Sequence, residues 1–190
     1  MAENVDDMSV WSGMLKDLFR QIDDGSITKE NIQAFLEHRN PFDAKEERYI
    51  TIVDDGKEKT SEIIAKMRKL FSVWVYNEEK IDKQFPTPEK PISRKFLLTQ
   101  EADIDLKNKS ANDLEKEGIA GITLRERLIY ELEYFKRTGQ HLDVKNITLC
   151  AGLRYTDGDV PGIRWLSDLL RVGWLYPSTR SDDLRSRREV

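Results

Sequence analysis

Cysteine is almost absent from this 190-residue chain, with Cys150 the only one. A single thiol closes no internal disulfide, which excludes the stapled framework of a small secreted domain. Histidine is nearly as scarce, at His38 and His141. One cysteine and two histidines lack the paired spacing of a structural zinc site, so no metal site is expected. No run approaches the roughly 18 to 20 apolar residues that span a bilayer. The opening MAENVDDMSV is acidic and has neither the basic n-region nor the apolar core of a secretory signal. The expectation is therefore a soluble, cytoplasmic protein with no membrane partner. The N-x-S/T matches at Asn108 and Asn146 then read as chance. Phosphate-loop, dinucleotide and nucleophile-elbow motifs are also missing, and no cofactor is expected.

What the chain has in quantity is charge of both signs. Charged residues make up 35% of it, yet 31 basic and 35 acidic side chains leave a net of −4. That balance argues against a surface that coats nucleic acid or an anionic membrane throughout. Hydrophobic residues, at 38%, suffice for a real core, and the length fits one domain of ordinary size or a domain with a small appended unit.

Apolar periodicity divides the chain. Met8, Trp11, Met14, Leu15, Leu18, Phe19 and Ile22 recur at helical spacing. The DDGS turn and a cap at Thr28 then introduce a helix with Ile32, Phe35 and Leu36, so residues 1–42 read as a helical hairpin unit. Residues 43–85 read as a strand, RYITIV, closed by Asp54-Asp55-Gly56, then a helix capped by Thr60 or Ser61. SVWVY fits helix or strand. FPTPEKP marks a proline-rich linker at 86–91. Residues 92–190 read as an α+β unit that begins with a strand at KFLLT. In it, Thr123 and Glu126 form a capping box, Gly139 ends the helix, and Arg127–Glu131 and Glu133–Arg137 are pairs on its wet side. NITLCAGLRY, GIRWLS and RVGWLYP are strand-like and suggest an antiparallel β-meander against that helix. The fold class expected is α+β.

Catalytic chemistry is weakly supported. An EF-hand register around Gly25 places Arg20 and Ile22 where oxygen ligands are needed. A Cys150–His141–Asp143 trio can be written, but Cys150 lies between Leu149 and Ala151, where a thiol acts as a small hydrophobe. Asp157 and Asp159 could be acid–base carboxylates, although TDGD is first a turn sequence. No catalytic residue is assigned.

The strongest signal is a change of base. Residues 1–150 hold sixteen lysines and eight arginines; residues 151–190 hold seven arginines and no lysine. Arginine is favoured where a planar donor fork must be held in fixed geometry, stacked on a ring or partly dehydrated. One reading is structural, with the arginines paired to nearby acids and rings. The other is a contact face built from Arg164, Trp165, Arg171, Trp174, Tyr176, Arg180, Arg185, Arg187 and Arg188. Six acids in the same stretch weaken its field and favour internal pairing. Arg185, Arg187 and Arg188 would stay free if the tail beyond Pro177 were undocked.

The segments LKDLFRQIDDGSITKENIQAFLEHRNPF and LRYTDGDVPGIRWLSDLLRVGWLYPSTRSDDLRSRREV resemble the two ends of short uncharacterised proteins from small-genome, uncultured bacterial lineages. The resemblance implies a bacterial cytoplasmic setting and a two-part build, and brings no activity. The functional expectation is a non-enzymatic binding or adaptor protein that meets a protein partner through the arginine–aromatic face. The alternatives are a nucleic-acid-associated protein of a mobile-element or defence context, and an enzyme using Asp157, Asp159 or Cys150.

Overall fold

The computed structural model describes residues 4–37 and 49–190, which belong to two compact units, Met1–Glu47 and Arg48–Val190. In the first, helix α1 (Asn4–Asp23) is followed across a short turn by helix α2 (Lys29–Leu36), the two helices expected there. Gly25 takes φ +79° at the turn, where Asp24 Oδ1 accepts from the Ser26 amide at 2.9 Å and Gln21 O accepts from the Ile27 amide at 2.9 Å. The end expected for this unit, up to residue 42, lies outside the described residues, as does His38.

The second unit contains two sheets. Strand β1 (Tyr49–Asp54) pairs antiparallel with β3 (Ile92–Leu97), and its alternation puts Ile50, Ile52 and Asp54 inward. Helix α3 (Thr60–Arg68) follows β1, and SVWVY resolves as a short strand, β2 (Val73–Val75). A short helix, α4 (Ile81–Gln84), precedes the prolines. The stretch 86–91 is not a linker between a 43–85 segment and a 92–190 unit. Because β1 pairs with β3 across it, it is an internal connection, tied down where the Pro88 carbonyl crowds Gly56.

Helix α5 (Ala111–Lys116) and helix α6 (Leu124–Thr138) come next, then β4 (Ile147–Leu149), β5 (Val160–Leu166), β6 (Leu169–Leu175) and β7 (Leu184–Arg185). The α+β class holds, and β4, β5 and β6 are consecutive and antiparallel. The sheet itself is mixed, with order β2-β6-β5-β4-β7, because β2 joins β6 in parallel and β7 joins β4 in parallel. Both edges come from distant sequence, which a meander read from local runs does not include. Ser167 and Asp168 both take positive φ, 52° and 58°, giving the mirror-image turn that suits a two-residue hairpin between β5 and β6.

Helix α6 is capped as the sequence implies. Thr123 Oγ1 accepts from the Glu126 amide at 3.2 Å, Glu126 accepts from the Thr123 amide at 2.8 Å, and Gly139 closes it at φ +67°. Its Arg127 and Glu131 are a correction: both are fully buried, not on the wet side. Helix α3 is also entered differently from expectation. Lys59 is its N-cap, while the Thr60 hydroxyl donates to Phe85 O at 2.5 Å and Ser61 is bonded to Asp82. One core joins Ile50, Ile52, Phe96, Ile64 and Met67 to Leu128 and Tyr130 of α6 and to Ile163 and Val172 of the larger sheet. A smaller core under α5 gathers Leu106, Leu114, Leu149, Val160 and Leu184 on the opposite side of that sheet. No helix among the described residues is long and apolar enough to cross a membrane.

Candidate functional site

The C-terminal arginines divide into those that hold the fold and those that face a groove. Arg187 belongs to the first group. Its side chain is 1% exposed and donates to Asp143 Oδ1 at 3.0 Å, to Thr99 O at 3.0 Å and to Gln100 O at 3.0 Å, with its guanidinium 5.0 Å from the Tyr130 ring centroid. Asp143 is the hub. Its Oδ2 accepts from Arg127 at 2.8 and 2.6 Å and from the Thr148 hydroxyl at 2.6 Å, and Arg127 also reaches Glu131 at 2.8 Å. Burial pushes the Asp143 carboxyl up, but the Arg127 and Arg187 charges and the Thr148 hydrogen bond outweigh it and hold the group below its ordinary value. Two guanidiniums, two carboxylates and backbone carbonyls thus compensate one another in a buried site, as buried charges require.

His141 belongs to the same network. Its Nδ1 lies 2.9 Å from Glu131 Oε1, and its ring stacks on Trp165 at 3.4 Å between centroids. Trp165 therefore points inward and is structural, and so is its backbone, whose amide donates to Asp143 O at 3.1 Å. This geometry also dissolves the Cys150–His141–Asp143 trio. His141 bonds Glu131, Asp143 bonds the arginines, and the nearest polar partner of Cys150 is Thr148 O at 4.0 Å. Burial raises the Cys150 thiol far above the usual range, so a thiolate is not available. Asp157 accepts from the Asp159 amide at 3.2 Å, which makes the pair a turn. Among the described residues no cluster of three metal-capable side chains occurs.

The other tail arginines are also occupied. Arg180 forms a two-pronged pair with Asp113 at 2.7 and 2.6 Å, Arg188 pairs with Asp105, and Arg185 donates to Ala102 O at 3.2 Å. Arg180 and the Ser110 hydroxyl hold the Asp113 carboxyl well below the carboxylate range. The tail is docked: Asp103 N–H donates to Ser186 O at 3.0 Å, Ile122 N–H to Arg187 O at 2.8 Å and Val190 N–H to Lys95 O at 2.9 Å. The condition under which Arg185, Arg187 and Arg188 would be free, an undocked tail, is therefore not met, and buried Arg187 cannot be part of a contact face.

What remains is Arg164 and Arg171, cross-strand neighbours in register on β5 and β6. Strand alternation puts them on the same side as Gly162 and Gly173, which are themselves paired, and as Trp74 of β2, which stands opposite Arg171. Half of this sheet side is covered by the smaller core. The open half is a groove of about 320 Å³ lined by Trp74, Arg164, Leu166, Arg171, Leu175 and Ile147, with the glycine pair as its floor. A Cβ on Gly173 would meet only Gly162 O, at 3.9 Å, so the floor is free above it; one on Gly162 would press on Leu175 at 2.9 Å. The Arg171 guanidinium sits 5.1 Å from the Trp74 ring centroid and has no acidic partner among the described residues. Arg164 reaches Asp183 only at 3.6 Å, and its Nε is buried without a partner. Trp174 borders the groove and meets Tyr176 edge-on at 5.1 Å, with Tyr176 61% exposed.

Trp74 is the site residue that sequence reasoning missed. The signal was the VWV alternation in SVWVY, whose middle residue must face away from the core if the run is a strand. No family model, curated protein or solved structure matches the chain.

Proposed function

We propose that residues 48–190 form a non-enzymatic binding module that takes an apolar, carboxylate-bearing segment of a protein partner on the open half of its larger sheet. Arg171 carries this reading: a guanidinium stacked on Trp74, beside a glycine-floored groove, with no acidic partner among the described residues. Stacking orders the side chain while leaving the edge of its fork free, so a carboxylate can be met with two donors. Trp74, Leu166 and Leu175 supply apolar area around that fork, and indole beside guanidinium is the composition of interface hot spots. The lining consists of aliphatic, indole and guanidinium groups, which supports recognition over group transfer.

A single-stranded nucleic acid on the same aromatic face is the rival reading. The charge disfavours it. Residues 48–190 carry 26 basic and 24 acidic side chains, and the tail arginines are already engaged.

The test is site-specific photo-crosslinking from position 166 in cells, followed by binding measurements on the protein recovered. Crosslinks to one protein, with affinity lowered at least tenfold by Arg171→Ala and by Gly173→Leu, support the proposal. Unchanged affinity in both variants removes it. Oligonucleotide binding that falls steeply with salt would support the rival instead.

A further inference from the structure

We infer that α1 is a self-association element, through which two copies of this chain pair by their apolar stripes. Met8, Trp11, Leu15, Leu18 and Ile22 follow one another at alternating steps of three and four, the register of a two-helix seam. Among these, Trp11 is 56% exposed, Leu15 50% and Leu18 37%, and the flanking Met14 and Phe19 are 58% and 62% exposed.

The hairpin cannot bury this stripe by itself. From Trp11 to Ile22 it runs about 17 Å, whereas the eight residues of α2 span about 12 Å and begin beyond the far end of α1. Helix α2 adds Phe35 and Leu36, both 67% exposed. Taking roughly 150–250 Å² for an aromatic side chain and a value near the lower end for Leu and Met, the five α1 residues leave about 500 Å² of apolar surface per copy and the two of α2 about 250 Å² more, against the roughly 800 Å² that each partner gives to a stable interface.

The placing of charge favours a second copy as the occupant. At about 100° per residue, Lys16, Asp17 and Arg20 fall on the side of α1 away from the stripe. There Arg20 already pairs with Asp17 at 2.7 Å and Asp24 at 3.3 Å. A partner surface that answers this stripe must be long, apolar and free of charge along a seam of the same pitch. From Trp11 to Ile22 another copy of α1 meets each condition, since no charged residue falls on the stripe there.

Sedimentation equilibrium of the full chain tests the inference. The expected result is a mass about twice 22.2 kDa at micromolar concentration, and a dissociation constant raised roughly a hundredfold by Leu15→Glu with Leu18→Glu, which would place unpaired charges in the seam. Lys16→Glu, on the opposite side, should leave the mass unchanged. The decisive arm mixes the double-Glu chain with a Leu15→Lys, Leu18→Lys chain. Recovery of dimer only in the mixture shows that the stripes face each other, and it does so even if either variant alone is less stable. A monomer up to roughly 100 µM, a dimer insensitive to the double-Glu change, or a mixture that stays monomeric would each overturn the inference. A monomer whose α1 amides resist hydrogen exchange would assign the stripe to another protein or to the rest of the chain.

Discussion

Arg187 and Asp143 are joined by a 3.0 Å ion pair in which the arginine is 1% and the aspartate 0% exposed, although 44 residues separate them. This pair ties the tail to the loop after α6 and is completed by Arg127 from the helix itself. Removing Arg187 would take one of the two guanidiniums from the buried Asp143 carboxylate and one donor each from the Thr99 and Gln100 carbonyls. Arg187→Ala and Asp143→Ala should each cost about 3–5 kcal/mol, a large share of the 5–15 kcal/mol typical of a domain. Urea denaturation monitored by tryptophan fluorescence measures this. A loss below about 1 kcal/mol, the figure for an exposed pair, would contradict the burial.

Two carboxylates should give the stability profile opposite slopes in adjoining pH windows. Asp143 has a folded-state value below its ordinary one, so the stability it provides is present above about pH 4 and is lost as pH falls through its folded value. Asp103 goes the other way. Burial raises it, only partly offset by the Arg188 amide, so its contribution is full below about pH 4 and is lost as pH rises through its folded value. Asp103→Asn keeps the acceptor for that amide and should flatten the loss above about pH 4. Denaturant midpoints across pH, compared between the two proteins, check it; parallel curves would show that Asp103 does not titrate there.

Cys150 should be inert in the folded protein. It is fully buried, and its thiol is shifted far toward the neutral form. Ellman titration should detect no thiol under native conditions and one per chain in denaturant. Prompt native labelling would refute this and revive a thiol chemistry.

The groove should tolerate filling. Gly173 is not in the left-handed region, and a side chain there enters open space, so Gly173→Leu should change stability by less than about 1 kcal/mol while occupying the floor. Gly162→Leu should destabilise, since Leu175 at 2.9 Å and Ile147 at 3.3 Å already crowd that position. Thermal unfolding of the two variants separates them; equal losses would mean that the groove is closed.

Much of the local structure was legible because its causes are local. The Thr123–Glu126 capping box, the Gly139 terminus and the Gly25 joint each need only residues within one turn. What escaped depends on partners far along the chain. Arg127 and Glu131 have the same four-residue spacing whether a pair is wet or dry, and only Asp143 and Arg187, from other segments, make burial tolerable. The parallel edges, β2 on β6 and β7 on β4, likewise join remote stretches with no pattern of their own. The switch from lysine to arginine was a sound sign of directional contacts. It could not separate Arg187 in the core from Arg171 at the groove, because composition carries no depth.

The docking of the tail also bears on how this protein is made. Chains leave the ribosome N-terminus first, and domains generally fold as their residues emerge. Here Asp143 and Arg127 must wait for Arg187, and β4 waits for β7, so the larger unit cannot settle while residues 184–187 are still inside the exit tunnel. During that interval the sheet edges and the unbalanced charges are open to chaperones, and nascent-chain protease resistance should arise only once residues 184–187 have emerged.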